Sequence, residues 1–178
     1  IVPIDLVVVN LYPFEATVAE EGHTLIEALE KIDIGGVSLL RAAAKNFPGV
    51  VVASDPADYP AVIAAMDTGG TDLAMRLGWA HKAFAQTGAY DAAIGNYTGA
   101  LRPDGLDLDA SPERSPFPAN LALGFRHVQA LRYGENPHQP AAFYAGRALP
   151  APGRTALEQL QGKELSFNNL LDMDAALR

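Results

Sequence analysis

Two short apolar runs, residues 6–9 and 50–53, constrain the fold of this 178-residue chain more than any other feature. Both are rich in β-branched side chains and contain no polar residue, which is typical of strands buried on both faces of a parallel sheet. Parallel strands need a long crossover connection, and helix-forming sequence lies between the runs. This order of strand, helices and strand predicts an α/β architecture with a parallel sheet.

Helix signals place the elements around these strands. Thr24 and Glu27 have the spacing of a capping box, which predicts a helix that begins after Thr24 and ends by Asp33. Helix-forming stretches bounded by glycine, proline or capping residues predict further helices over residues 37–45, 59–66 and 72–87. A strand is predicted over 121–128, and polar loops over 131–139 and 161–169 precede a last helix.

The composition changes over residues 99–120, which contain four prolines and several aspartates and serines. Such a stretch is typical of a loop or a domain linker. It predicts a first domain over 1–120, with this linker at its end, and a second over 121–178. The chain starts at Ile1 without a methionine and stops at Arg178 within a predicted helix, so we expect a longer parent protein.

Charge and cysteine content exclude several classes of function. The 21 acidic and 13 basic residues give a net charge of −8, and nucleic acids and anionic membranes both require a basic surface. The chain has no cysteine, which excludes disulfides and thiolate chemistry and fits a reducing compartment. His127 and His138 have no third ligand at metal-binding spacing, so no metal site is predicted.

The first candidate site follows the first predicted strand. Val9, Asn10 and Tyr12 lie where ligands bind in open parallel sheets, beyond the carboxyl ends of strands. The asparagine amide and the tyrosine phenol could recognise polar groups of a ligand. An ordinary turn with a packed aromatic ring is the alternative.

The second candidate site is the stretch from Asp33 to Gly36. Gly35 and Gly36 would let a ligand approach free backbone N–H groups at a helix start, and Ile34 lies between them and the aspartate. Asp33 between two isoleucines could be an acid–base group in apolar surroundings. The alternative is a capping aspartate followed by a glycine loop.

Two further groups of residues are candidates. Arg41 and Lys45 lie one helical turn apart and could hold a phosphate or donate a proton, or could form a solvated basic face. The loop that contains Arg132, Tyr133 and His138 combines a phosphate ligand, a stacking ring and a proton carrier. A structured surface loop is the alternative for these three residues.

In this order along the chain, the stretches 10–14, 32–36, 41–46 and 131–139 resemble a known family of bifunctional enzymes of purine biosynthesis. These enzymes join IMP cyclohydrolase to a transformylase that acts on the nucleotide AICAR. Shorter matches at 58–59, 82–84, 90–91 and 162–169 extend the resemblance over nearly the whole chain. The block Leu-Arg-Tyr-Gly-Glu-Asn-Pro-His-Gln at 131–139 is highly specific to the family.

The resemblance implies a fold and two reactions. The first domain would be the C-terminal part of a methylglyoxal-synthase-like domain, which closes the ring of the formylated nucleotide FAICAR to give IMP and water. The second would be the start of a cytidine-deaminase-like domain, which transfers a formyl group from 10-formyltetrahydrofolate to AICAR. The family also implies a cytoplasmic homodimer that requires no metal and binds neither nucleic acid nor membrane.

The resemblance also implies roles for individual residues. Tyr12, Asp33 and Lys45 match residues of the cyclohydrolase site, and we expect Asp33 and Lys45 to face substrate without forming a direct ion pair. The nucleotide would be lined by Val9, Asn10, Ile34, Gly35 and Gly36. In the transformylase, Arg132 and Tyr133 would hold AICAR, with His138 and Asn169 nearby.

Parts of both family sites have no counterpart between Ile1 and Arg178. We therefore expect the isolated chain to be inactive. The alternative is a non-catalytic module that binds nucleotides or partners. A stand-alone methylglyoxal-synthase-like lyase is disfavoured by the second-domain motifs after Leu131.

Overall fold

The computed structural model describes residues 3–146 and 159–177 of the chain. The chain divides into two units, Ile1–Ala122 and Leu123–Arg178. The predicted boundary after residue 120 lies two residues before this division, and the enzyme domain to which each unit corresponds stays a prediction. The expectation of a longer parent protein depends on the two chain ends, and these lie outside the described residues.

The first unit contains the predicted parallel sheet. Strand β1 (Leu6–Val8) pairs in parallel with β2 (Val51–Ala53), and Leu6 lies opposite Val51. The parallel α/β architecture is therefore confirmed. Burial on both faces is confirmed for the end of β2 but is wrong for β1, where Val8 is 49% exposed. Within the described residues β1 pairs with β2 alone.

Five helices and one 3₁₀ turn accompany the sheet in the described part of this unit. Their bounds are α1 (Phe14–Ala19), α2 (Leu25–Glu30), α3 (Gly35–Lys45), the 3₁₀ turn Pro56–Asp58, α4 (Tyr59–Asp67) and α5 (Leu73–Ala100). The capping box of α2 is confirmed, because Thr24 Oγ1 accepts the Glu27 N–H and Glu27 Oε2 accepts the Thr24 N–H. No sequence pattern described above predicts helix α1, whose first residue, Phe14, directly follows Pro13.

Two helices differ from their predicted bounds. Helix α3 begins at Gly35, two residues early, because the Asp33 carboxylate accepts the Gly36 N–H and so satisfies one of the free donors of the first turn, while Ile34 is the N-cap residue. Helix α5 continues past the predicted end at Thr87 to Ala100, so the predicted loop over 99–120 begins too early. Its second half is stabilised by packing, because Tyr90 and Tyr97 are buried there.

The core of the first unit consists of two clusters, and α5 contributes to both. The first lies between the sheet and helices α3, α4 and α5, with Leu40, Ala44, Val52, Val62, Trp79 and Ala83 among its buried residues. The second contains Phe14, Leu25, Ala28, Tyr90 and Tyr97. The Phe14 and Tyr97 rings meet edge to face with centroids 5.5 Å apart, a geometry that adds about 0.5–1.5 kcal/mol beyond the area buried.

The proline-rich segment that follows α5 is attached to the first unit. Its backbone pairs with Leu25 and Ile26 through carbonyl groups of Ala110 and Leu108, at 3.0 and 2.8 Å. Just after this segment, the Ala122 N–H donates to Asn96 Oδ1, and the Ala122 carbonyl accepts from Asn96 Nδ2. The segment is irregular, as predicted, but its backbone is fixed to helices of its own unit.

The second unit consists of a hairpin and a helix in its described part. Strand β3 (Phe125–Leu131) pairs antiparallel with β4 (Ala141–Gly146), and α6 spans Phe167–Ala176. The predicted strand over 121–128 is therefore displaced, because pairing with β4 runs from Phe125 to Leu131. Helix α6 begins inside the predicted loop 161–169, because Ser166 and Asn169 form a capping box. Neither unit contains, in its described residues, a helix long and apolar enough to span a bilayer.

Candidate functional site

The carboxyl end of the sheet presents Asn10 and Tyr12 at the surface. The Val9 N–H donates to the Ala53 carbonyl at 3.1 Å, which continues the pairing of the strands by one residue. Asn10 follows, and its Oδ1 accepts a hydrogen bond from the Tyr59 hydroxyl at 3.2 Å. Tyr12 is 56% exposed, while Phe14 two residues later is buried. Phe14 therefore anchors the turn, and the Tyr12 phenol stays accessible to a ligand.

Asp33 lies in a backbone segment that Tyr90 holds in place. The Asp33 N–H donates to the Tyr90 hydroxyl at 2.8 Å, and this hydroxyl donates to the Lys31 carbonyl at 2.6 Å. Burial raises the pKa of Tyr90 above its ordinary value, which keeps the phenol protonated and able to donate. The tyrosine thus fixes the chain on both sides of Ile32.

The Asp33 carboxylate caps α3 through one of its two oxygens. Oδ1 accepts the Gly36 N–H at 2.6 Å, and among the described residues Oδ2 accepts no hydrogen bond. The expectation of apolar surroundings is wrong on one side, because the Ile34 side chain is 75% exposed at the helix start. The carboxylate thus satisfies an N–H of the first turn, while Ile34 is the N-cap residue, and the predicted glycine loop is wrong because Gly35 and Gly36 lie in α3. An acid–base role for the other oxygen stays a prediction.

Gly36 permits this approach of the carboxylate to the helix. A Cβ atom at Gly36 would lie 2.5 Å from Asp33 Oδ2, whereas a Cβ atom at Gly35 would have nothing within 4 Å. The two glycines therefore differ in their requirements. Gly36 is needed for the position of the carboxylate, and Gly35 leaves open space beside the backbone.

Replacing Gly36 with alanine should displace the Asp33 carboxylate from its capping position. Both Gly36→Ala and Gly35→Ala gain the helix propensity of alanine, but only Gly36→Ala loses the cap, which is worth about 1 kcal/mol. We expect the free energy of unfolding to be about 1 kcal/mol lower for Gly36→Ala than for the control Gly35→Ala. Denaturant unfolding measures both variants, and equal free energies would contradict the capping geometry.

Arg41 and Lys45 lie on α3, but the structure gives them different surroundings. The Arg41 guanidinium lies 5.7 Å from the centroid of the Phe84 ring, which is cation–π distance. Lys45 is exposed in the last helical turn. Among the described residues no salt bridge joins Lys45 to Asp33. The 11 residues of α3 span about 16 Å, which separates the two groups.

The second unit brings two separate motifs together. The Arg132 N–H donates to the Leu165 carbonyl at 2.8 Å, and the Phe167 N–H donates to the Tyr133 carbonyl at 3.0 Å. Ser166 lies buried between these two bonds. The loop after β3 and the start of α6 therefore form one surface, although more than 30 residues separate them in the sequence.

Arg132 and Tyr133 form a pair on this surface. The Arg132 guanidinium lies 4.9 Å from the Tyr133 ring centroid, and its Nη2 donates to the Tyr133 hydroxyl at 3.2 Å. The hydrogen bond from Arg132 to the phenol oxygen, with a smaller contribution from the nearby Ser166, holds the pKa of Tyr133 below its ordinary value. The pair presents a cation that lies over an aromatic ring, a combination that suits an anionic heterocyclic ligand.

The other two predicted residues of this unit form no hydrogen bond with the pair among the described residues. His138 is exposed near the end of a loop in which the Gly134 N–H donates to the Gln139 carbonyl at 2.8 Å. Asn169 caps α6, because its Oδ1 accepts from the N–H and the hydroxyl of Ser166. A contact of either residue with substrate stays a prediction.

Sequence reasoning missed the residues that support the site from a distance. The sequence marks Tyr59 and Tyr90 only as parts of matching blocks, because their long-range hydrogen bonds leave no local signal. The same is true of Lys82, whose Nζ forms ion pairs with Asp55 and Asp58 at 2.8 and 2.9 Å. These carboxylates raise the pKa of Lys82, and Lys82 in turn lowers that of Asp55. Across the described ranges, no three histidine, aspartate or glutamate residues form a metal-binding group.

Comparison with known proteins identifies the family. The sequence model described as AICARFT/IMPCHase bienzyme matches residues 43–178. The bifunctional purine biosynthesis protein PurH of Magnetococcus marinus is 52% identical over 178 residues, which cover 98% of this chain and 32% of that protein. PurH of Xanthomonas euvesicatoria is 51% identical over 99% of this chain and 33% of its own length. The chain thus spans about a third of the length of these relatives.

A solved structure described as the crystal structure of ForH is 39% identical to this chain. The TM-score is 0.42, and the match covers 52% of this chain and 49% of the ForH chain. The family sequence model matches most of the chain, and two PurH proteins are more than 50% identical to it along nearly its whole length. The chain therefore belongs to the AICARFT/IMPCHase bienzyme family.

Proposed function

We propose that the protein containing this chain catalyses formyl transfer from 10-formyltetrahydrofolate to AICAR and then cyclises the product FAICAR to IMP. The observation that carries this proposal is the identity of 51–52% to two PurH proteins over nearly the whole chain. Both relatives are named bifunctional purine biosynthesis proteins. No observation favours the alternative of a non-catalytic binding module.

For the first unit we propose a methylglyoxal-synthase-like fold and the cyclohydrolase role. Its parallel sheet supports this assignment, because Val9, Asn10 and Tyr12 follow β1 at the carboxyl end, where ligands bind in such sheets. Ile34, Gly35 and Gly36 at the start of α3 would line the same nucleotide.

Cyclisation joins the amide nitrogen of FAICAR to its own formyl carbon, so the enzyme must orient the two groups and move protons. Asp33 Oδ2 accepts no bond from the described residues and would take the proton that the amide nitrogen loses. Tyr12, which is exposed, would donate to the oxygen that becomes negative and then leaves as water. Lys45 is the alternative donor, and because it lies at the opposite end of α3 from Asp33, it would have to reach this oxygen through its extended side chain. The geometry supports Asp33 most directly, because its capping bond fixes the carboxylate at one oxygen.

For the second unit we propose the start of a cytidine-deaminase-like transformylase domain. Arg132 would bind the phosphate of AICAR through two parallel N–H donors, and Tyr133 would pack against the heterocycle. The cation–π contact and the hydrogen bond between these residues support this role, because they hold the guanidinium in place before substrate arrives. His138 and Asn169 would complete the AICAR side of the site.

The remaining family properties are also proposals for this protein. We expect a cytoplasmic homodimer whose co-substrate is 10-formyltetrahydrofolate and whose chemistry requires no metal. The net charge of −8 supports small-molecule substrates over nucleic acid or membranes as partners.

The full-length protein tests the proposed function directly. With AICAR and 10-formyltetrahydrofolate it should release tetrahydrofolate and form IMP, and with FAICAR alone it should form IMP. Chromatographic detection of IMP and a spectroscopic assay of tetrahydrofolate separate the two steps. Failure to form IMP from FAICAR would contradict the cyclohydrolase, and failure to release tetrahydrofolate would contradict the transformylase.

A further inference from the structure

Tyr59 contacts a proposed nucleotide-binding residue from an element with no assigned role. It is the first residue of α4, and its hydroxyl donates to Oδ1 of Asn10, 49 positions earlier in the chain. Asn10 itself is exposed at the carboxyl end of β1. The bond therefore joins the start of a helix to the edge of the sheet where the nucleotide would lie.

The position of Tyr59 is fixed by the turn that precedes it. Asp55 caps this 3₁₀ turn by accepting the Ala57 N–H at 2.9 Å, and Asp58 ends the turn. Lys82, on α5, pairs with both carboxylates at 2.8 and 2.9 Å. The Tyr59 side chain is half-buried and packs against the first core cluster. The hydroxyl therefore has a defined position even without Asn10.

The Tyr59 hydroxyl holds the Asn10 amide at one of its two ends. The terminal torsion of asparagine is broad and roughly two-fold, so an isolated amide exchanges its oxygen and nitrogen easily. The Tyr59 hydroxyl donates to Oδ1, and within the described residues Asn10 Nδ2 donates to no partner. The two N–H groups of Nδ2 are thus available to an acceptor atom of a ligand.

We propose that Tyr59 is a positioning residue that anchors the Asn10 side chain at the carboxyl end of β1, so that the free end of its amide meets a polar atom of the bound nucleotide. This inference rests on the proposed function and goes beyond it, because it assigns a task to a residue outside the substrate-binding set. Without the hydroxyl, the Asn10 side chain is no longer held in this position and samples other rotamers, which weakens binding.

The effect should appear in substrate affinity and should depend on Asn10. A single neutral hydrogen bond corresponds to a factor of roughly 2–10, so in the full-length protein Tyr59→Phe should raise the KM for FAICAR about 5-fold with kcat nearly unchanged. In an Asn10→Ala background the same substitution should change the KM by less than about 2-fold, because contacting residues are not additive. Tyr144→Phe, at an exposed tyrosine of β4 in the other unit, is the matched control.

The test is the steady-state rate of FAICAR cyclisation, measured for the wild type, Tyr59→Phe, Asn10→Ala, the double variant and Tyr144→Phe. A KM effect of Tyr59→Phe that disappears in the Asn10→Ala background supports the proposal, provided that Tyr144→Phe matches the wild type. An unchanged KM in Tyr59→Phe, or an equal increase in both backgrounds, overturns the proposal and leaves the proposed function intact. A wild type that forms no IMP from FAICAR overturns the proposed cyclohydrolase and this inference together.

Discussion

Replacing Asp33 with asparagine in the full-length protein should lower the turnover of FAICAR cyclisation by about 100-fold or more, the usual scale for losing a general base. Asparagine keeps an Oδ1 acceptor and is as good an N-cap as aspartate, so the bond to the Gly36 N–H and the start of α3 should persist. It cannot accept the proton of the amide nitrogen. The measurement is kcat for IMP formation from FAICAR.

The transformylase reaction is the internal control for this variant. Its proposed residues lie in the second unit, so release of tetrahydrofolate in the presence of AICAR should stay near the wild-type rate. An equal loss of both activities would indicate misfolding. A kcat for cyclisation within a few-fold of the wild-type value would show that the carboxylate is a helix cap alone.

Replacing Arg132 with lysine should raise the KM for AICAR on the order of 10-fold, because lysine cannot form two parallel hydrogen bonds to a phosphate. The structure adds a second reason. The guanidinium lies 4.9 Å from the Tyr133 ring centroid and donates to its hydroxyl, and a compact ammonium does not reproduce that planar arrangement. Steady-state formylation and calorimetric titration with AICAR measure the change.

Arg126→Lys is the matched control, because Arg126 is an exposed arginine of β3 outside the proposed site. It should bind AICAR as the wild type does, and FAICAR cyclisation should stay normal in both variants. Wild-type affinity of Arg132→Lys for AICAR would overturn the phosphate-binding role. Equal weakening by Arg126→Lys would indicate an effect of general charge in place of a specific contact.

Local signals in the sequence were sufficient for the elements around the first candidate site. Apolar β-branched runs predicted both parallel strands, and Thr24 with Glu27 predicted the start of α2, because strand pairing and capping depend on residue types a few positions apart. The motif blocks also indicated the family, which the comparison confirmed. The sequence also indicated Asp33 and the two glycines as candidates. It did not show that a side chain would fit at Gly35 but would meet the Asp33 carboxylate at Gly36.

The tertiary structure alone decided the contacts that position these residues. Tyr90 reaches the Asp33 backbone across 57 positions, and Tyr59 reaches Asn10 across 49. The same holds for the extension of α5 to Ala100. Helix propensity and turn chemistry act within a few residues, whereas these contacts depend on which helix faces pack together in the core. The sequence by itself therefore determined which residues are available for chemistry, and packing between distant segments determined how their polar atoms are held.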